Sequence, residues 1–140
     1  MSTTPEQRLV LIEAAAQNAG EYLAGWRKHH AASSTDPDTT AEHLAGEVVS
    51  IVEAAARAEV FAEGQERAQR VREAGSAAAD AVAVVARWAE SGAAEVGEAD
   101  PTPAGEDDRD GEIVRAFEHV QQRARAAAFA DLLDTLRDDG

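Results

Sequence analysis

Apolar and small residues recur at alternating intervals of three and four along the first part of the chain, which is typical of a helix packed on another helix. This seam consists of Leu9, Ile12, Ala16, Ala19, Leu23 and Trp26. A second stripe beside it consists of Leu11, Ala15 and Tyr22. Thr4 as N-cap, Pro5 at the first helical position and Gln7 of a capping box predict where the helix begins. We expect it to end within residues 29–31.

A second helical pattern follows a polar turn at residues 32–40, where Pro37 stops the preceding helix. The pattern begins at Leu44 and its rhythm of three and four continues to Ala89 after one shift near Phe61. Two structures fit it: one bent helix from about residue 40 to 96, or two helices separated at Gly75 with Ser76 as the new N-cap. We expect a kink or break at Gly75, because antiparallel packing needs a turn.

The segment from Glu98 to Asp110 interrupts the helical pattern with proline, glycine and six acidic residues against one arginine. Such a composition cannot bury a core and predicts a flexible acidic linker, the first site of native-state proteolysis. A last helix should run from residue 111 or 112 to about 137, with Asp110 as its N-cap. The predicted fold is therefore all-α, a bundle or hairpin of three or four long antiparallel helices. Its predicted parts are residues 1–97, the linker 98–110 and the C-terminal amphipathic helix 111–140.

The last helix carries several of the largest apolar residues in the chain on or near one face. The predicted interaction residues are Phe117, Val120, Phe129, Leu132, Leu133 and Leu136. A helix behind a flexible tether can fold back onto its own bundle, exchange onto a second copy, or dock into the groove of another protein. The sequence alone leaves these three arrangements open.

Composition and charge restrict the possible partners. The chain has 33 alanines, and because alanine buries little area we expect self-association into at least a dimer. The net charge of −14 argues against direct binding to nucleic acid or to an anionic membrane, and leaves a partner with a basic or apolar groove. No apolar stretch is long enough for a membrane span, cysteine is absent, and a basic, apolar leader is not seen at the N-terminus. A cytoplasmic location is expected.

The sequence predicts no metal site and no cofactor, although four acidic residues come nearest to a metal-binding pattern: Glu47, Asp80, Asp108 and Asp110. The last two belong to a stretch that resembles an EF-hand loop starting at Glu106, but its twelfth position is Phe117 instead of the glutamate that calcium requires. Adjacent histidines point in different directions on a helix, so His29 and His30 make a poor pair of ligands. The Glu-x-x-His motif of di-iron bundles does not occur.

The segments His43–Ala54 and Ala77–Val82 together resemble the all-α NTP pyrophosphatases of MazG type. That family carries Glu-x-x-Glu on one helix and Glu-x-x-Asp on the next, and its four carboxylates hold Mg²⁺. The matching positions in this chain are Glu47, Ser50, Ala77 and Asp80, so two of the four carboxylates remain. The resemblance implies a shared helical fold and a divergent or degenerate enzyme.

The favoured interpretation is a non-enzymatic interaction or structural protein, such as an assembly or adaptor component, that acts through helix–helix packing and self-association. One alternative is the divergent pyrophosphatase. Another is an acidic inhibitor that imitates the charge of nucleic acid.

Overall fold

A computed structural model describes residues 3–98 and 109–137 of the chain. Four helices account for nearly all of this part: α1 (Pro5–Ser34), α2 (Ala41–Glu73), α3 (Ala78–Glu98) and α4 (Arg109–Leu136). No strand occurs within the described ranges, so the predicted all-α fold is confirmed. The predicted linker has no structural test here, because residues 99–108 lie outside the described part.

The start of α1 follows the capping box predicted from the sequence. The Thr4 hydroxyl accepts from the Gln7 backbone amide, and the Gln7 side chain accepts from the Thr4 amide. The helix ends at Ser34, later than predicted. Its last turn is closed by hydrogen bonds to main-chain carbonyls, from the Ser34 hydroxyl to His30 and from the Thr35 amide to Ala32. These bonds occupy acceptors that a helix end otherwise leaves unpaired.

The long central pattern is divided at Gly75, as the sequence predicted. Gly75 has φ +90°, a left-handed conformation that favours glycine and ends a helix. The Ser76 amide bonds back to the Val71 carbonyl, which closes the end of α2. Helix α3 begins at Ala78, one residue later than an N-cap at Ser76 would have placed it. The turn makes α2 and α3 antiparallel neighbours.

Helices α2, α3 and α4 form the main core, in which Phe61 and Phe129 are fully buried. Gly64 lets α2 lie close to its neighbours, because a Cβ there would meet Leu132, Trp88 and Val85 at 3.1–3.5 Å. Small residues of this kind let an alanine-rich bundle exclude water without many large side chains.

Helix α1 lies on the outside of this core and packs mainly along α2, with few points of contact to α3 and α4. Ile12 is its one large residue that is fully buried. Much of the α1 surface therefore has no neighbour within the described bundle.

Helix α4 is folded back onto α2 and α3, the first of the three arrangements left open by the sequence. It begins at Arg109, so Asp110 lies inside its first turn and is not the N-cap. None of the helices in the described ranges combines the length and the hydropathy needed to cross a bilayer.

Candidate metal centre and apolar face

Two of the three residues in the second apolar stripe of α1 stay exposed, whereas Ala15 packs against the core. Tyr22 is 60% exposed and Leu11 is 47% exposed, although both repeat at helical spacing beside the packed seam. The Tyr22 ring meets Trp26 edge to face at a centroid distance of 6.4 Å, and Trp26 meets the His29 ring in the same way at 5.7 Å. With Glu21 and the open backbone of Gly25, these rings form a shallow depression that we name the aromatic shelf.

A groove of about 250 Å³ lies between α1 and α4, directly beside the aromatic shelf. Tyr22 forms one wall, Ala124 and Ala127 form the other, and the charged groups of Glu53 and Arg57 border its floor on α2. The small side chains of α4 leave this groove wide. The shelf and the groove therefore share Tyr22.

The predicted interaction residues of α4 fall into two groups. Phe129, Leu132, Leu133 and Leu136 are buried in the intramolecular core, where they pack on α2 and α3. Val120 is half-buried and Phe117 is 38% exposed. In this conformation the larger part of the predicted face holds the bundle together, and its N-terminal part is accessible beside exposed Ile113 and Val114.

A second candidate site lies where α1 ends and α2 begins, around the buried carboxylate of Glu47. The Nε2 atoms of His29 and His43 lie 3.2 and 3.3 Å from Glu47 Oε2. His30 donates its Nδ1 proton to the other oxygen, Oε1, at 3.0 Å. Three imidazoles thus converge on one carboxylate from two helices.

The Glu47 carboxylate is only 3% exposed, whereas the His29 and His43 rings are 59% and 61% exposed. Burial raises the pKa of the Glu47 carboxyl, but hydrogen bonds from His30 and Ser33 and the charges of His29 and His43 outweigh it and lower the pKa below its usual value. Oε2 accepts no hydrogen bond of good geometry from the described residues. The two imidazoles that face Oε2 offset the cost of burying its charge only when they are protonated.

Local sequence signals build this cluster. Thr40 caps α2 by accepting from the His43 backbone amide, so His43 occupies the third position of the helix. Glu47 follows four residues later, which places both side chains on one face of α2. The turn at residues 35–40, closed by the bond from the Asp38 amide to the Asp36 side chain, brings the end of α1 back alongside them.

The other acidic candidates do not join Glu47. Asp80 is exposed in the first turn of α3, at the opposite end of the bundle and roughly 40 Å away along the α2 axis. The two carboxylates of the pyrophosphatase resemblance therefore do not share a site. Asp108 and the Glu106 start of the calcium-like loop lie outside the described residues, as does the side chain of Asp110.

The sequence predicts that the adjacent His29 and His30 make a poor pair of ligands for one ion, and the structure does not bring them to the same oxygen. His29 and His30 do point in different directions, but they reach different oxygens of the same carboxylate. The signal that could have revealed the cluster is the four-residue spacing of His43 and Glu47 directly after a helix cap. The Glu-x-x-His motif of di-iron bundles has a spacing of three and therefore does not describe this pair.

No protein-family model, no curated protein and no solved structure matches this chain.

Proposed function

We propose that the protein is a non-enzymatic helical interaction protein that self-associates, with the α1 helices of two copies packing against each other through their aromatic shelves. The observation that carries the proposal is the exposure of Tyr22 and Leu11 on a repeating apolar stripe of α1. Burying a side chain of this size contributes about 1.5–3 kcal/mol. A two-fold axis would bury Leu11 and Tyr22 of both copies in one contact.

The charge distribution supports α1 as the contact between identical chains. The whole chain carries −14, so most of its surface repels a second copy. Helix α1 is balanced: it contains three acidic and three basic residues, namely Glu6, Glu13, Glu21, Arg8, Arg27 and Lys28. Helix α1 therefore repels a second copy less than the acidic remainder of the surface does.

The backbone of α1 supports a close approach. A Cβ at Gly25 would meet nothing within 4 Å in the described bundle, as at Gly20 and Gly46, but of these three glycines only Gly25 lines the aromatic shelf. Glycine in a helix costs about 1 kcal/mol relative to alanine. At Gly64 and Gly92 the same cost accompanies close contacts within the core, and at Gly25 a helix of a second copy would provide that contact.

The test is the mass of the full chain in solution, measured by light scattering or sedimentation over a micromolar concentration range. The natural chain should form at least a dimer. Tyr22→Glu should shift it to the 14.7 kDa monomer while leaving the helical circular dichroism unchanged. Ala83→Glu, which adds the same charge at an exposed site on α3, is the matched control and should remain associated. A natural chain that is monomeric throughout, or two variants that behave alike, would refute the α1 interface.

A further inference from the structure

The geometry points to a binding site for a divalent transition metal, with Zn²⁺ as the best match, formed by His29 Nε2, His43 Nε2 and Glu47 Oε2 within a single chain. All three ligands come from one copy, so the site does not require the self-association proposed above, although the His29 ring also lines the aromatic shelf. It concerns a resident metal and assigns no reaction to it.

The distances fit a zinc coordination sphere. Zinc binds imidazole nitrogen at about 2.0–2.1 Å and carboxylate oxygen at about 2.0–2.2 Å, so neighbouring ligand atoms in a tetrahedron lie about 3.3 Å apart. The two nitrogen–oxygen separations to Glu47 Oε2 are 3.2 and 3.3 Å. All three ligand atoms lie within 4.8 Å of one another. Because the rings of His29 and His43 are exposed, they can rotate until their two Nε2 atoms reach the separation that tetrahedral coordination requires.

The buried oxygen is the second, independent reason for a ligand. Oε2 of Glu47 is the atom that accepts no hydrogen bond of good geometry among the described residues, and it is also the atom on which both Nε2 atoms converge. A metal ion placed there would accept lone pairs from all three atoms. It would also neutralise a carboxylate that burial otherwise disfavours.

The surroundings supply the outer support that metal sites use. His30 holds Oε1 of Glu47 through Nδ1, which leaves Oε2 to face the two other imidazoles. Trp26 packs against the edge of the His29 ring. The solvent side remains open at the two exposed rings, so water can complete the coordination. Two imidazoles and one carboxylate suit zinc, nickel and copper better than magnesium or calcium, which prefer oxygen.

The test uses the untagged full chain, because a histidine tag would bind the same ions. Calorimetric titration with Zn²⁺ should give one ion per chain, and Zn²⁺ should raise the melting temperature while Mg²⁺ leaves it unchanged. Co²⁺ should give the intense visible absorption of a four-coordinate site. His43→Gln and Glu47→Gln should each weaken Zn²⁺ binding by roughly 100-fold or more, beyond the range expected for an outer-shell residue.

His119→Gln is the matched control, since His119 is an exposed histidine on α4 and should leave Zn²⁺ binding unchanged. His30→Ala should lower the affinity by roughly 10–100-fold while keeping one ion per chain, as expected of a positioning residue. If Glu47→Gln does not fold, as judged by circular dichroism, His29→Gln replaces it, because that ring is largely exposed.

Three results would overturn the site. One is a natural chain that binds no Zn²⁺ at micromolar concentrations, another is a stoichiometry of one ion per two chains, and the third is equal loss of binding in His119→Gln and His43→Gln.

Discussion

The ring of Phe129 lies directly against the backbone of Gly92, so a Cβ added there would stand 2.5 Å from the ring carbon Cζ. Gly92→Ala should therefore destabilise the bundle. Overpacking a core costs about 1–3 kcal/mol, which exceeds the roughly 1 kcal/mol that alanine gains over glycine in a helix. Urea unfolding followed by circular dichroism measures the change.

The control for Gly92→Ala is Ser91→Ala, at the exposed neighbouring position on α3. This substitution raises the helix propensity of α3 and does not place an atom against Phe129, so the variant protein should be as stable as the natural chain or slightly more stable. A Gly92→Ala chain as stable as Ser91→Ala would mean that α3 and α4 do not approach as closely as described.

Gly25→Ala should affect the monomer and the dimer in opposite ways. The change should raise the free energy of unfolding of the monomer by about 1 kcal/mol, because alanine favours a helix and no atom lies within 4 Å of the added Cβ. It should weaken self-association, because the proposed contact needs the helices to come close. Thermal unfolding of dilute protein and sedimentation at higher concentration measure the two effects separately. The control is Gly20→Ala, because Gly20 has equally open space but lies about 140° around the helix from Gly25. This variant should gain the same stability and still form the dimer.

Trp26 provides an optical signal for the proposed metal centre. It touches the His29 ring, whereas Trp88 packs on Phe129 and lies beside Gly64, about 26 Å from Glu47 along α2. Adding Cu²⁺ should quench the Trp26 part of the fluorescence and leave the Trp88 part. In Trp26→Phe the remaining emission should not respond to Cu²⁺ beyond the effect on free tryptophan. Strong quenching that persists in Trp26→Phe would place the ion elsewhere.

The Thr40 cap should influence both folding and metal affinity. Thr40→Ala removes the acceptor for the His43 amide and should cost about 1 kcal/mol of stability. Because His43 is then less firmly held, Zn²⁺ binding should weaken by roughly 10-fold, as for other supporting residues. Thr4→Ala removes the equivalent cap at the start of α1 and should cost similar stability with no change in Zn²⁺ affinity. Equal Zn²⁺ affinities in the two variants would contradict a role for the cap in holding the site.

Local signals in the sequence determined where most helices begin and end. Thr4, Pro5 and Gln7 placed the first residue of α1, and the glycine at position 75 marked the separation of α2 from α3, because capping and left-handed backbone depend on neighbours only a few residues away. Helix α1 continues a few residues beyond the predicted end at 29–31, and the hydroxyls of Ser34 and Thr35 hydrogen-bond to carbonyls of its last turns. The sequence also predicted the apolar face of α4, because the spacing of its apolar residues follows the period of a helix.

Tertiary structure alone decided what those faces and side chains meet. The periodicity of α4 could not tell whether Phe129 and Leu132 would pack on their own bundle or on a partner, because the energy of burying them is the same in either place. The second stripe of α1 has the period of a core face, but the position of α1 outside the α2–α3–α4 core leaves Tyr22 exposed. Likewise, the spacing of His43 and Glu47 is local, but their meeting with His29 and His30 depends on the length of the turn between α1 and α2 and on the register of the two antiparallel helices. Packing along the whole length of α1 and α2 sets that register, so a short sequence motif cannot predict it.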